Sequence, residues 1–362
     1  MSKQRYFLGG TSPEGFKSKF IDLIKDPKYY TYVLKGGPGT GKSTLMKKIA
    51  EEFDDCDISV FYCSSDTRSL DAVVIEDKGV IVVDGTAPHV FETIYPAAFQ
   101  DLINLGDCWN RKEIEKHKDA LKYTFDENQK YHARTKCYVE ALSSLNDDIY
   151  AIGESCLEKK KLSSYIGRLM KKLLPKAEIN SDGKLQFRQL SAFTADGYMT
   201  MPVGDDYSVY FIKDDLFCGG DFFLRSLADN FTRKGYTVSV SECTMLHSFT
   251  YEHLIVDELK LAFLTGNFFN KLYLESASVI NFARFYDKSS LTDKKQRLLF
   301  DKKASLELAD EAAVSLSTAL DIHDEMEKFY INAISFDMLN EKTEKLIAEI
   351  KEKTVAFFLE MV

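Results

Sequence analysis

Between Tyr30 and Phe53 the chain changes its hydrophobic period. Tyr32, Val33 and Leu34 form a short, continuous, β-prone apolar run, the pattern of a buried parallel strand. Leu45, Met46, Ile49 and Phe53 then recur at helical spacing, so one face of that segment can pack on a sheet. Between the two runs stand Gly36, Gly37, Gly39 and Gly41, which allow backbone conformations closed to other residues. Strand, glycine-rich turn and helix are predicted in that order. A second strand is predicted over Ile58, Ser59, Val60, Phe61, Tyr62 and Cys63, followed by a polar, turn-like stretch over 64–71. Val80, Ile81, Val82 and Val83 form another buried strand, which ends at Asp84 and Gly85. From about residue 91 to 174 the chain is rich in Lys, Glu, Leu and Ala and poor in glycine and proline, which predicts helix. Residues 175–183 read as a linker, with Pro175 and an Asn-Ser-Asp-Gly turn.

The pattern then repeats. Tyr32–Lys35 aligns with Tyr210–Lys213, and without a gap Gly41 falls on Gly219, Met46 on Leu224, Ala50 on Ala228 and Phe53 on Phe231. Val80–Asp84 falls on Leu261–Thr265, and Ile103-Asn104 falls on Ile280-Asn281. The common order predicts an internal duplication. The expected fold is α/β: a parallel sheet of P-loop NTPase type flanked by helices, present twice, each copy with a helical extension. The first copy spans 1–177, with its extension at about 91–174. The second spans 178–362, with its extension from about 271.

The residues between strand and helix carry chemistry. Gly36-x-x-x-x-Gly41-Lys42-Ser43 is a complete phosphate-binding (Walker A) motif in its required context. Amide groups of Gly36, Gly37, Pro38, Gly39, Thr40, Gly41, Lys42, Ser43 and Thr44, less the imino nitrogen of Pro38, form a cradle at the positive end of a helix. Lys42 adds a charge for the β- and γ-phosphates, and Ser43 offers a hydroxyl to Mg²⁺. Asp84, at the carboxyl end of a buried strand, has the Walker B position and reaches the same Mg²⁺ directly or through water. Candidates for orienting a nucleophile are Asp66, Asp71, Glu76 and His89, because the glutamate that often follows a Walker B acid is here Gly85. In the second copy Gly36 and Gly37 have become Asp214 and Asp215, Lys42 has become Gly220, Ser43 has become Asp221 and Asp84 has become Thr265. Carboxylates around an anion cradle repel the anion, so this copy is predicted not to take a nucleotide.

Charge and cysteine usage narrow the field further. The formal net charge of −9 argues against a protein that coats nucleic acid. One basic stretch, from Lys159 to Lys176, can form an amphipathic helix for nucleic acid or an anionic membrane surface; a solvated helix face is the favoured reading. The seven cysteines contain no C-x-x-C pair and suggest reduced thiols rather than a zinc site. No apolar run approaches a membrane span, and the opening residues lack the apolar core of a signal peptide, so a cytoplasmic protein is expected.

Taken together, LKGGPGTGKSTLMKKI, CSSDTRSLD and VDGTAPHV resemble a prokaryotic family of tandem P-loop ATPases with no firmly assigned biological role. The resemblance covers nearly the whole chain. It implies ATP binding by Lys42 and Ser43, a Walker B role for Asp84, and roles for Ser65, Asp66, Asp71 and His89. Members usually keep a phosphate loop in both halves; this chain departs from them between Asp214 and Asp221. An Asn-Lys-x-Asp motif for guanine is missing, which favours ATP. Three functions follow as expectations: an ATPase working at the amino-terminal site alone, a P-loop kinase with Arg134 or Arg168 as lid arginines, or a non-catalytic ATP-dependent switch.

Overall fold

The structure, a computed structural model, describes residues 4–87, 90–174 and 182–353. It is an α/β fold with two six-stranded sheets flanked by helices. In the first sheet the strands lie in the order Gln100–Asn104, Tyr30–Lys35, Val80–Asp84, Leu70–Ile75, Ile58–Tyr62, Gln4–Phe7. In the second the order is Ser278–Asn281, Ser208–Lys213, Leu261–Gly266, Tyr251–Val256, Val238–Glu242, Leu185–Phe187. The two orders match strand for strand, consistent with an internal duplication.

Both sheets are mixed, not parallel as expected. One strand in each runs backwards: Leu70–Ile75 is antiparallel to both its neighbours, and so is Tyr251–Val256. The cause is the connection. A single 3₁₀ turn, Glu76–Lys78, joins Leu70–Ile75 to Val80–Asp84, and so short a link can only join antiparallel strands. Gly79 closes that turn at φ 60°. The polar stretch 64–71 was expected to be turn throughout, yet its end already belongs to this strand, because Leu70 and Asp71 begin the buried run LDAVVI. The helical extensions also start later than the composition predicts. Gln100–Asn104 and Ser278–Asn281 are edge strands pairing with the central strands Tyr30–Lys35 and Ser208–Lys213. Leu102 and Asn104 are exposed in the first and all but Ile280 in the second, so neither reads as the continuous apolar run of a buried strand. Within the linker, 175–181 lies outside the described residues.

The chain divides into two compact units that do not follow the halves of the sequence. Unit 1 comprises the described residues within 1–9, 18–135 and 314–362; unit 2 comprises those within 10–17 and 136–313. Each unit thus contains one six-stranded sheet together with helical residues from the other half of the sequence. In unit 1 the core between the sheet and the helix Lys42–Glu52 includes Leu45, Met46, Ile49, Val73 and Val82, all at most 1% exposed, together with Leu339, Leu346 and Ile350 from the helix Phe336–Glu352. The helical ends are pinned in the same way in both units. In unit 1, Asn110 N donates to Ala333 O (2.7 Å) and Ser335 N to Cys108 O (2.8 Å). In unit 2, Asp287 N donates to Cys156 O (2.9 Å) and Glu158 N to Phe285 O (2.8 Å).

The helix Lys159–Leu173 turns its apolar face, Leu162, Ile166, Leu169 and Met170, into unit 2. Its apolar side is therefore already covered, while Lys159 pairs with Glu154 (3.1 Å) and Lys161 with Glu158 (2.8 Å). Two of the basic residues thus pair with nearby acids; Lys176 lies outside the described residues.

Candidate functional site

In unit 1 the buried strand Tyr30–Lys35 runs out into Gly36 and the chain enters the helix Lys42–Glu52 at Gly41. Two residues of the loop have left-handed backbone, Gly39 at φ 66° and Gly41 at φ 78°. The helix takes no side-chain cap at its amino end. Its first-turn amides therefore keep the partial positive charge of a helix start. Thr40 Oγ1 donates to Gly37 O (2.8 Å) and braces the turn.

Lys42 folds back over this loop. Its Nζ donates to Gly36 O and Gly37 O, both at 2.8 Å, and lies 3.6 Å from Asp84 Oδ2. The Lys42 and Asp84 side chains are 11% and 13% exposed, so the pair is largely withdrawn from water. Asp84 Oδ1 accepts from the Thr86 amide (2.8 Å) and hydroxyl (2.6 Å), which leaves Oδ2 facing Lys42. Burial raises the Asp84 carboxyl above the usual range, against the opposing pull of Lys42 and Thr86. Ser43 Oγ accepts from the Leu70 amide (2.9 Å), which ties the loop to the reversed strand. The residue after Asp84 has no room for a side chain: a Cβ on Gly85 would lie 2.4 Å from Val33 Cγ1. An acid at that position is excluded by packing.

Of the other residues marked by sequence, Asp66 caps its own turn. It accepts from the Arg68 amide (3.0 Å), Arg68 Nε (2.7 Å) and Ser69 Oγ (2.9 Å). Burial pushes its carboxyl up, but these donors overcome it and hold it below the usual range. Asp71 is buried beside Leu70, and its charge adds to the upward push on Asp84. Glu76 is not at the site. It accepts from Tyr29 Oη (2.5 Å) and Lys28 Nζ (3.4 Å) in the turn that precedes Val80, at the end of the strand opposite Asp84. Five residues of strand separate the two, on the order of 15 Å. Thr44 is exposed on the helix. Arg134 lies over the Tyr131 ring in unit 1, and Arg168 is exposed in unit 2. His89 lies outside the described residues.

The sequence did not mark the residues that cover the loop from outside. Glu327 Oε1 accepts from the Gly39 amide (3.0 Å). A Cβ on Gly39 would lie 2.9 Å from the Glu327 carbonyl oxygen, one on Gly37 would lie 3.0 Å from Trp109 Cη2, and one on Gly41 would lie 2.6 Å from Leu339 Cδ2. One turn before Glu327, Asp324 pairs with Arg68 (3.1 Å). Apart from Trp109, which lies 72 positions from Gly37, these contacts join residues more than 250 positions apart, beyond the reach of any local pattern.

The matching loop in unit 2 is filled by its own side chains. Asp214, which replaces Gly36, is 1% exposed. Its carboxylate accepts from the Leu216 amide (3.1 Å), the Gly220 amide (2.7 Å) and Tyr286 Oη (2.9 Å). Tyr286 Oη in turn accepts from the Gly219 amide (2.9 Å). Asp221, in place of Ser43, accepts from the Tyr251 amide (2.7 Å), Arg225 Nε (2.8 Å) and Tyr150 Oη (3.0 Å). The amide cradle is kept, but a carboxylate of the same chain sits in it.

Unit 2 also holds Ser191 Oγ 2.6 Å from His253 Nε2. His253 Nδ1 accepts from the Thr265 amide (3.1 Å), so Nε2 carries the proton and donates to the serine. Burial depresses this imidazole to about 3, and it cannot serve as base for Ser191. The chain matches no family model, no curated protein and no solved structure.

Proposed function

We propose that unit 1 binds magnesium–ATP at Gly36–Thr44 and hydrolyses it, as a P-loop ATPase with a single working site. The observation that carries this reading is the loop itself. A glycine-rich turn joins the carboxyl end of a buried strand to an uncapped helix start, and a lysine lies across it 3.6 Å from a strand-end aspartate. In this reading a triphosphate takes Lys42 Nζ away from the Gly36 and Gly37 carbonyls and accepts from the loop amides. A dry, preorganised cradle of this kind stabilises charge on a transferring phosphoryl group more strongly than water does.

The oxygens present fit magnesium. Ser43 Oγ accepts one hydrogen bond and keeps a free lone pair, and Asp84 Oδ2 is not used by Thr86. Both are hard oxygen donors of the kind Mg²⁺ prefers. When bound, the ion supplies charge neutralisation at the terminal phosphates. Unit 2 supports the single-site reading, because Asp214 already satisfies the amides of Leu216 and Gly220. The resemblance to tandem P-loop ATPases rests on the motifs alone. A switch that binds ATP without turnover is the second reading, favoured by the absence of an acid after Asp84.

Calorimetric titration with Mg·ATP tests the site. Lys42→Ala is expected to weaken binding by about 2–3 kcal/mol, the worth of a hydrogen bond to a charged group, or roughly 30- to 150-fold. Equal affinity in wild type and variant would count against the assignment. Phosphate release without an added acceptor separates the ATPase from a kinase and from a switch.

A further inference from the structure

Glu327 places a carboxylate on the very loop that the proposed function reserves for a polyphosphate, and the inference that follows rests on that reading. The Gly39 amide, at the middle of the glycine-rich turn, donates to Glu327 Oε1 at 3.0 Å. The contact is held from several sides. Asp324, one turn earlier, is paired with Arg68, and the helix end is pinned by the hydrogen bonds of Ala333 and Ser335 to residues 108–110. Trp109 packs on Gly37 and against Tyr330, with ring centroids 5.0 Å apart. With Lys42 turned onto the Gly36 and Gly37 carbonyls, both a cationic and an amide contact of the loop are already in use.

Unit 2 shows what a carboxylate does in such a loop. Asp214 is part of the loop, is buried, and is held by two amides and a tyrosine hydroxyl. It is a permanent occupant. Glu327 differs in each respect. It arrives from a helix 288 positions away, is half-buried, and reaches Gly39 on a side chain with three rotatable bonds. It is an occupant that can leave.

We propose that Glu327 is a built-in competitor for the polyphosphate: it caps Gly39 while the loop is free and must be expelled when the β- and γ-phosphates bind. A carboxylate oxygen and a phosphate oxygen cannot share one amide, and their like charges repel at that range. Expulsion removes this carboxylate contact between the loop and the helical residues 314–331, so occupancy of the cradle is felt first by that stretch of helix. The same contact lowers affinity for every polyphosphate, whatever base it carries.

Trp109 is the only tryptophan in the chain and packs on Gly37 and Tyr330, so its fluorescence reports on this contact without a label. Pyrophosphate and Mg·ATP are titrated separately into the wild type, Glu327→Gln, Glu327→Ala and Lys42→Ala, with urea unfolding as the check that each is folded. Glu327→Gln keeps the shape and loses the charge; Glu327→Ala loses both. The expected result is affinity at least tenfold higher than wild type in Glu327→Gln, at least as high again in Glu327→Ala, and the same gain for both ligands. Affinity that is unchanged or lower in both Glu327 variants, while Lys42→Ala binds more weakly than wild type, overturns the competitor and leaves the nucleotide site standing. Turnover lost in Glu327→Gln with no gain in affinity overturns it as well, since the side chain then acts on the reacting phosphate. No binding to any of the four proteins overturns the site and the competitor together.

Discussion

At the scale of single residues, this chain shows that the partners of a carboxylate decide its part. Asp84, Asp66, Asp214, Glu252 and Glu327 are all withdrawn from bulk water to some degree, yet each has a different set of donors. Asp66 is spent on Arg68 and Ser69, and Asp214 on loop amides. Glu252 has Tyr198 Oη (2.7 Å) and Asn270 Nδ2 (3.2 Å) as donors, and the neighbouring His253 is held neutral by burial. Burial pushes its carboxyl from an ordinary 4.5 up to about 7. The folded state therefore binds a proton that the unfolded state has released. That preference is complete below about pH 4.5 and is lost as pH rises through about 7. The gap corresponds to stability on the order of 3 kcal/mol. Urea midpoints measured from pH 5 to 8 are expected to fall with rising pH, and Glu252→Gln is expected to flatten that slope. A slope that survives the substitution would assign it to other groups.

At the scale of elements, the short turns set the topology. The reversed strand in each sheet follows from a 3₁₀ turn of three residues, Glu76–Lys78 in one case and Asp257–Leu259 in the other. Each closes on a left-handed residue, Gly79 at φ 60° and Lys260 at φ 48°. The lysine has contacts that offset its backbone strain, an ion pair with Asp206 (2.9 Å) and the Tyr207 ring (4.8 Å). Gly79 has no such option, because a Cβ there would lie 2.7 Å from the Lys28 carbonyl oxygen. Gly79→Ala is expected to cost about 1–3 kcal/mol, read from chemical denaturation. The strand LDAVVI was legible as an apolar run, but its direction was not. Direction depends on how few residues separate it from the next strand, and a turn of three residues leaves one answer.

At the scale of the whole molecule, a unit of sequence is not a unit of structure. The duplication runs along the chain, from strand order to the matched loops, but each compact unit borrows helical residues from the other half. Leu339, Leu346 and Ile350 lie in the core of unit 1 although they belong to the second half of the sequence. A chain ending at Ala313 therefore loses residues from unit 1 and none from unit 2. Removing three buried aliphatic side chains costs several kcal/mol, about 2–5 each for comparable truncations to alanine. Hydrogen exchange on such a chain is expected to show lost protection in Tyr30–Lys35 and Val80–Asp84, with Ser208–Lys213 and Leu261–Gly266 still protected. Equal loss in both sheets would show that the units fold only together.

The sequence by itself determined the local chemistry: the strand, glycine turn and helix around Lys42, the aspartate ending Val80–Asp84, the repeat, and the carboxylates that replace glycines at Asp214 and Asp215. These follow from side-chain period and from which residues tolerate a turn, and both are local properties. Tertiary structure alone decided that Glu327 meets Gly39, that Trp109 and Leu339 cover the loop, that Asp214 turns inward onto its own amides, and that Glu76 lies at the wrong end of its strand. The physical reason is separation along the chain. Contacts between residues 288 positions apart are chosen by the packing of buried faces, and packing depends on every element at once.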